Sequence, residues 1–494
     1  MHSTSDEKSS EAVIAKPSDA QIREEELDGQ AEILISWTSP TDPHNPHNWP
    51  SHRKWTITLL VSFGSLVTLM SGSVLAPAIP VMSKDLRITA SEAQLALSIF
   101  VLAFSVGPIV LAPLSEIYGR RPIWLYGGIW YLIWNTVCGF ADNKTLIIVG
   151  RLFAGLGAAG EYSVCQPILS DVWNPEERGK AYAISTFLPL LGPALGPIIG
   201  GVVTDKLGWP WLFFVISIFD GMLIIYALTM FHESYGPKIL SQKAKAMNKR
   251  GDQEYTTEHD RAAPTISQQL SMGLTRPARL LATQPILQLM SLYLAYNFGI
   301  LYIVLSTFAT LWTERYHQPV SVSGLHYLAL VIGYTIAAQV GGKVTDRVWA
   351  HLQKKAKAHA VPEYRVPLMI PGAVLLPIGL FWYGWAAEAR IMWIVPDIGI
   401  MVFGCGIILG TQAMQAYVLD SCPRYTASAV AGAQLPRGFA AFAFPIFAPK
   451  MYSTLGYGWG NSLLAFTFMA IGLPAPLLLW KFGARLRARG KPQW

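Results

Sequence analysis

The sequence is short of charge, short of cysteine and without a phosphate-binding loop, and each shortage closes off a class of protein. Only 14% of its 494 residues are charged against 52% hydrophobic, and the mean hydropathy is +0.34. A soluble chain of this length could not cover so much apolar surface. The four cysteines, Cys138, Cys165, Cys405 and Cys422, have neither disulfide nor metal-ligand spacing, so they read as small core residues. No metal and no cofactor is expected. The pattern Gly-x-x-x-x-Gly-Lys-Ser/Thr is missing, which argues against ATP-driven work within the chain. No apolar segment presents clustered His or Cys or paired carboxylates, so enzyme chemistry is not expected either. The first 54 residues hold no basic stretch followed by an apolar core, so no cleavable signal peptide is expected.

What the sequence does have is apolar runs of the roughly 20 residues a helix needs to cross hydrocarbon. They fall at about 55–77, 92–112, 123–141, 145–170, 181–203 and 210–231, then at 285–307, 321–341, 366–387, 393–418, 427–448 and 459–480. The expected fold is an all-α integral membrane protein with twelve transmembrane helices in two six-helix halves, 55–231 and 285–480. The net charge of +7 does not point to nucleic acid, because the basic residues sit in loops and tails, where topology explains them. Residues 1–54, the linker 232–284 and the tail 481–494 are expected in the cytoplasm, the last two on the strength of their lysines and arginines. Within the N-terminal tail, Trp37 and the segment 42–50 are expected at the membrane surface. The sequon Asn143-Lys-Thr145 falls outside but close to the bilayer, and is not expected to carry a glycan.

Two loops repeat a pattern. Ala112-Pro-Leu-Ser-Glu-Ile-Tyr-Gly-Arg-Arg-Pro122 joins two spans by a few residues, and Gly342-Lys-Val-Thr-Asp-Arg347 stands at the matching place in the second half, since 342 − 112 = 230 and 346 − 116 = 230. Internal symmetry of this kind marks transporters. Glu116, Gly119, Arg120 and Arg121, with Gly342, Asp346 and Arg347, are read as gating latches whose charge pairs make and break as helices rock. In the fifth span Gly192, Gly196 and Gly200 recur every four residues, and Pro193 and Pro197 interrupt the helix bonding. This stretch is read as a hinge between halves.

Four charges lie in apolar runs: Arg151, Glu161, Asp220 and Arg437. Each costs roughly 2.5 to 3.5 kcal/mol at bilayer depth, so each is a functional hypothesis. Arg151 and Glu161 stand about 15 Å apart along one helix, too far to pair, and each needs another partner. Glu161, among Gly157, Ala158, Ala159 and Gly160, is the expected proton-coupling group, with Arg151 its electrostatic regulator or an anion contact. Asp220 is expected to make a structural hydrogen bond, and Arg437 to pair across the interface between halves.

The loop 112–122, the run 192–201 and the duplicated plan resemble the major facilitator superfamily. The chain is similar in particular to the fungal twelve-span drug:proton antiporters, through Asp42-Pro-His-Asn-Pro-His-Asn-Trp49, Arg151, His232-Glu-Ser-Tyr-Gly-Pro237, Leu274-Thr-Arg-Pro277, Pro362-Glu-Tyr-Arg365 and Ala427-Ser-Ala429 with Arg437. It departs from the general loop pattern at Ala112 for glycine, Glu116 for aspartate and Ile117 for arginine. The resemblance implies a central cavity lined by the first, fourth, seventh and tenth spans, which puts Arg151 and Glu161 on the path of substrate and protons. Ser65, Thr68 and Ser71, Tyr162 and Gln166, Tyr296, Asn297 and Tyr302, Gln412, Gln415 and Tyr417, and Arg437 would line it, an amphipathic set suited to a flat organic molecule. The expected function is a proton-coupled exporter of a drug, toxin or secondary metabolite, acting as a monomer in the plasma membrane, or alternatively the vacuolar one. Its partners are a small organic substrate, protons and the lipid bilayer. The alternatives are a proton symporter importing a polyamine, nutrient or organic acid, and a membrane sensor that does not transport.

Overall fold

The computed structural model describes residues 22–27, 30–174, 177–249, 255–262, 265–356, 362–421 and 426–489. Two of its long helices begin at a side-chain cap, and two end at a glycine in a turn. Thr89 and Glu92 form a capping box that starts a long helix at Ala90. Asn143 Oδ1 accepts the Leu146 N–H at 2.9 Å and starts another at Lys144, so the sequon asparagine serves here as a helix cap. Gly119 at φ +103° and Gly208 at φ +92° end helices in conformations that L side chains rarely adopt.

The first group of helices is α1 (Ser51–Ser71), the short α2 (Ile79–Asp85), α3 (Ala90–Tyr118), α4 (Arg120–Gly139), α5 (Lys144–Val172), α6 (Arg178–Leu207) and α7 (Pro210–Met230). A linker follows with α8 (Gly236–Asn248), α9 (Glu258–Ala262) and α10 (Ile266–Thr283). The second group is α11 (Pro285–Thr310), the short α12 (Val320–Leu325), α13 (Tyr327–Ala356), α14 (Met369–Glu388), α15 (Ile394–Ser421), α16 (Thr426–Gly472) and α17 (Pro474–Arg489). Gly456, at φ +72°, breaks α16 into two arms. Each group packs mainly within itself, α1 on α6 and α3 and α4 on α5 in the first, α11 on α16 and α14 on α15 in the second. Among the described residues nine helical stretches are long and apolar enough to cross a bilayer; one of them, Ser428–Ala488, runs through the break at Gly456.

The end of the bundle that bears the N-terminal tail and the linker helices is called the tail end below, and the opposite end the far end. At the far end the two groups meet backbone to backbone, through Gly201 of α6 and Gly324 of α12. A Cβ at Gly201 would lie 2.7 Å from the Val320 carbonyl, and one at Gly324 2.6 Å from the Pro197 carbonyl. Gln94 Nε2 also donates to the Ser306 carbonyl there at 3.2 Å. At the tail end α10 lies between the groups, with Gly273 against Pro113 of α3 and the Pro277 carbonyl against Gly432 of α16.

β1 (Ile22–Leu27) pairs antiparallel with β2 (Gln30–Ile35), and β3 (Tyr255–Thr256) of the linker adds parallel to β2. Within the segment 42–50, Trp49 packs on protein: it is buried with Ile57 and Trp173, and the Arg53 guanidinium lies 3.8 Å above its ring. The indole thereby buries its apolar area and keeps a cation on its face. Asp42 organises the turn, accepting from His44 N–H at 2.9 Å, Thr38 N–H at 3.1 Å and Thr38 hydroxyl at 2.8 Å. Burial pushes its carboxyl up, but these donors outweigh burial and hold it below the ordinary 3.8. A depressed carboxylate stabilises the fold above its unfolded value and loses that contribution as pH falls through the folded one. We therefore expect amide exchange over 38–49, corrected for intrinsic rates, to rise roughly tenfold in Asp42→Asn at neutral pH, and in the native chain only below a pH of about 4.

Candidate substrate and proton site

Glu161 follows Gly157 and Gly160 on α5, and those glycines let α4 come into backbone contact. A Cβ at Gly160 would lie 3.0 Å from the Gly127 Cα, a spacing only small residues allow. The crossing makes a berth for the carboxyl: a Cβ at Gly128 would collide with Oε1, and one at Gly64 of α1 would stand 3.3 Å from Oε2. Glu161 is fully buried and meets Asp220 of α7, also fully buried, carboxyl to carboxyl. Among the described residues, none of the four oxygens receives a hydrogen bond from any other group. Ionised carboxylates only accept, so a bond between these two exists only with a proton on the pair. Without it, two like charges would sit together where, among the described residues, no ion pair offsets them, at a cost of several kcal/mol.

Arg151, ten residues earlier on the same helix, is fully buried on a different set of partners. Its Nη2 donates to the Ser71 carbonyl at 2.8 Å and its Nε to the Ala96 carbonyl at 3.3 Å, and the guanidinium lies 4.1 Å above the Phe100 ring. Ser71 is the last residue of α1, where carbonyls lack helical partners and carry the negative end of the helix dipole. A cation can be held there without a carboxylate. Nη1 has no partner.

Where the two groups face each other, Tyr162 of the first is 38% exposed and lies 5.0 Å from Phe104. On the other side are the half-buried Tyr296, Tyr302 and Arg437. Arg437 stacks 3.3 Å above the Phe298 ring and its Nη1 donates to Gln434 at 2.7 Å; among the described residues it forms no ion pair, and Asp420 pairs with Arg365 at 3.0 Å. Gln166 is exposed beside α6, 3.4 Å from the Ser185 hydroxyl, while Gln412 and Gln415 are half-buried on α15.

Other residues of the expected lining point into their own group. Asn297 is fully buried and donates to Thr411 at 2.9 Å. Ser65, Thr68 and Ser71 are fully buried, Ser71 against the Tyr131 hydroxyl at 2.5 Å. Tyr417 is buried at the tail end with Arg487 and Glu363. Glu161 likewise faces the interior of its group and not the space between groups. Helical spacing locates a residue on a span but does not say which neighbour its face meets, and that is why these readings part from the structure.

Residues 61–445 match the family model described as the Major Facilitator Superfamily. The chain belongs to this superfamily. It is 40% identical over 476 residues to an uncharacterized transporter of Schizosaccharomyces pombe, with 96% of this chain and 97% of that one covered. It is 39% identical over 461 residues to the efflux pump vrtL of Penicillium aethiopicum, covering 93% and 91%. Among solved structures, the xylose transporter XylE of E. coli in a partially occluded inward-open conformation superposes with a TM-score of 0.63 at 16% identity, covering 87% of this chain and 98% of that one. The last likeness concerns the fold alone. Together with the apolar helices, the family makes this a multi-pass membrane protein.

In this facilitator the first repeated loop is a hub within one half. Gly119 turns beside Glu233, where any Cβ would collide with the carboxylate. Glu233 accepts from the N–H groups of Arg120 at 3.0 Å, Ser234 at 3.0 Å and Tyr235 at 2.9 Å. Arg120 is buried, 3.3 Å from Asp171 and only 3.9 Å from Glu116, and Arg121 reaches the Leu228 carbonyl at 3.2 Å. The loop thus ties α3, α4, α5 and α7 to one another. Of the second loop, Gly342 lies within α13, the Asp346 side chain lies outside the described residues, and Arg347 is exposed. The expected hinge is a seam inside the first half: Gly192 and Gly196 pack on α1 at Met70, and Gly200 on the turn after it at Val74. Despite Pro193 and Pro197, α6 stays helical through the run. Sequence reasoning missed Asp220 as the partner of Glu161, and Phe100, Phe104 and Phe298 as platforms for charge. The doublet Gly127-Gly128, opposite the glycines before Glu161, was the available signal for the first.

Proposed function

We propose that this facilitator exports an amphipathic organic compound of drug, toxin or secondary-metabolite type in exchange for protons. The buried Glu161–Asp220 pair carries the proposal, because it is a site that needs a proton and offers no other donor. The nearly full-length likeness to relatives named as efflux pumps supports the direction. In this reading six-helix halves 55–231 and 285–480, twelve spans in all, rock about a central site, with the tail end and the linker 232–284 in the cytoplasm. The far-end contact of Gly201 with Gly324 closes the outer side. The loop hub and its second-half counterpart hold the inner ends, and one chain in the plasma membrane suffices. Proton binding to the carboxyl pair favours one facing state and substrate the other, since coupling requires that each ligand bind the two states unequally.

The test is proton flux in liposomes with a trapped pH dye, screened with drugs, aromatic metabolites, organic acids and polyamines. The expected result is proton movement opposite to one substrate class. Movement in the same direction as the substrate would make the protein an importer and overturn the proposal.

A further inference from the structure

Two guanidinium groups border the space between halves, and among the described residues neither forms a salt bridge. Arg437 stands half-buried over Phe298 with only the Gln434 amide on its Nη1. Arg151 is held by two carbonyls and a ring, and its Nη1 is buried without a partner. Tyr302 lies within electrostatic reach of both cations, and Tyr162 within reach of Arg437. The nearest carboxyls of the first half, Glu161 and Asp220, are turned toward each other and away from this space. Rings connect the two cations: Phe100 under Arg151 stacks on Phe104 at 6.2 Å and 8°, Phe104 meets Tyr162 at 5.0 Å, and on the far wall Tyr296 meets Phe444 at 5.6 Å.

Uncompensated positive charge held away from bulk water repels cations and attracts anions far more strongly than it would at a surface. Arginine also presents a planar fork that pairs with a carboxylate through two parallel hydrogen bonds, a geometry lysine lacks. The rings supply flat apolar faces on which an aromatic body stacks.

We infer that the exported compound is a planar aromatic acid, bound as its anion with the carboxylate on Arg437 and the ring against Phe104 and Tyr162. Arg437 is the contact because it is the reachable cation, while the wholly buried Arg151 acts by its field. The inference rests on the efflux reading and adds a consequence to it. Exchanging one anion outward for one proton inward moves two positive charge equivalents inward, so membrane potential drives export as well as the pH gradient. A neutral compound moves one, and a monovalent cation none.

The experiment uses the full chain in nanodiscs and three fluorescent probes that share one ring system: anthracene bearing a carboxylate, a hydroxymethyl or an aminomethyl group. At neutral pH the carboxylate is expected to bind about tenfold or more tighter than the amine, with the alcohol between. This ratio needs no variant, so misfolding cannot mask it. Arg437→Gln should cost the carboxylate about tenfold and the alcohol less than threefold, and Arg437→Lys should recover part of the loss. Equal or tighter binding of the amine, or equal losses for acid and alcohol in Arg437→Gln, overturns the inference. In liposomes without a pH gradient, a potential negative on the cytoplasmic side should expel the carboxylate probe. If the carboxylate binds selectively but no proton moves with it, the antiport reading fails and the acid site stands. If proton exchange follows the amine and not the acid, the acid site fails and antiport stands.

Discussion

Glu161→Gln is expected to remove proton exchange, by about a hundredfold or more, while leaving exchange of labelled for unlabelled substrate across the membrane. The glutamine amide can donate permanently to Asp220, so a hydrogen bond between α5 and α7 is available without a titratable proton. Volume and packing change little, and the berth formed by Gly64 and Gly128 still fits. Asp220→Asn should do the same from the other side, its amide donating to Glu161. Shared loss in both single variants, with counterflow retained, separates a proton site from a structural one, because a merely structural pair would transport normally once satisfied by an amide. Full proton-driven transport in either variant would place the proton elsewhere. The two substitutions are coupled through contact, so their effects on transport should not add.

A bulky residue at the far-end glycine contact should have an effect of similar size by a different route. Gly324→Trp is expected to cut net transport about a hundredfold while the substrate still binds from outside. The position faces the Pro197 carbonyl at 2.6 Å and the Gly201 Cα at 3.3 Å, both backbone and neither able to swing aside. A side chain there holds α6 and α12 apart, and a closed outer side becomes sterically inaccessible. The inward-facing state is thereby depopulated, and a shift of about 3 kcal/mol between states corresponds to the hundredfold loss. The direct readout is a cysteine placed at Tyr302, half-buried between the halves near Gly72. An impermeant maleimide added outside should modify it faster in the Gly324→Trp background than in the native one. Unchanged reactivity, with transport lost, would point to misfolding and against an outer gate at this contact.

How much of this was legible in advance depends on whether the governing physics is local. Span positions follow from a run of apolar residues meeting a slab of fixed thickness, a quantity read directly along the chain. The membrane class, the duplicated loops 112–122 and 342–347 and the family likeness were accessible in that way. So was the singling out of Arg151 and Glu161, because a charge in an apolar run is costly wherever its helix packs, and their separation along one helix already required different partners. The tertiary structure alone decided who those partners are. Glu161 meets Asp220 because four glycines bring α4 onto α5 and turn the carboxyl toward α7, and Arg151 finds the open carbonyls at the end of α1. It also decided that Asn297 and Ser71 face inward, that the glycines of α6 face α1 while Gly201 alone among them meets the other half, and that Glu233 holds the loop at Gly119. A helix presents every side of itself to some neighbour, and which neighbour is set by packing between segments far apart in sequence.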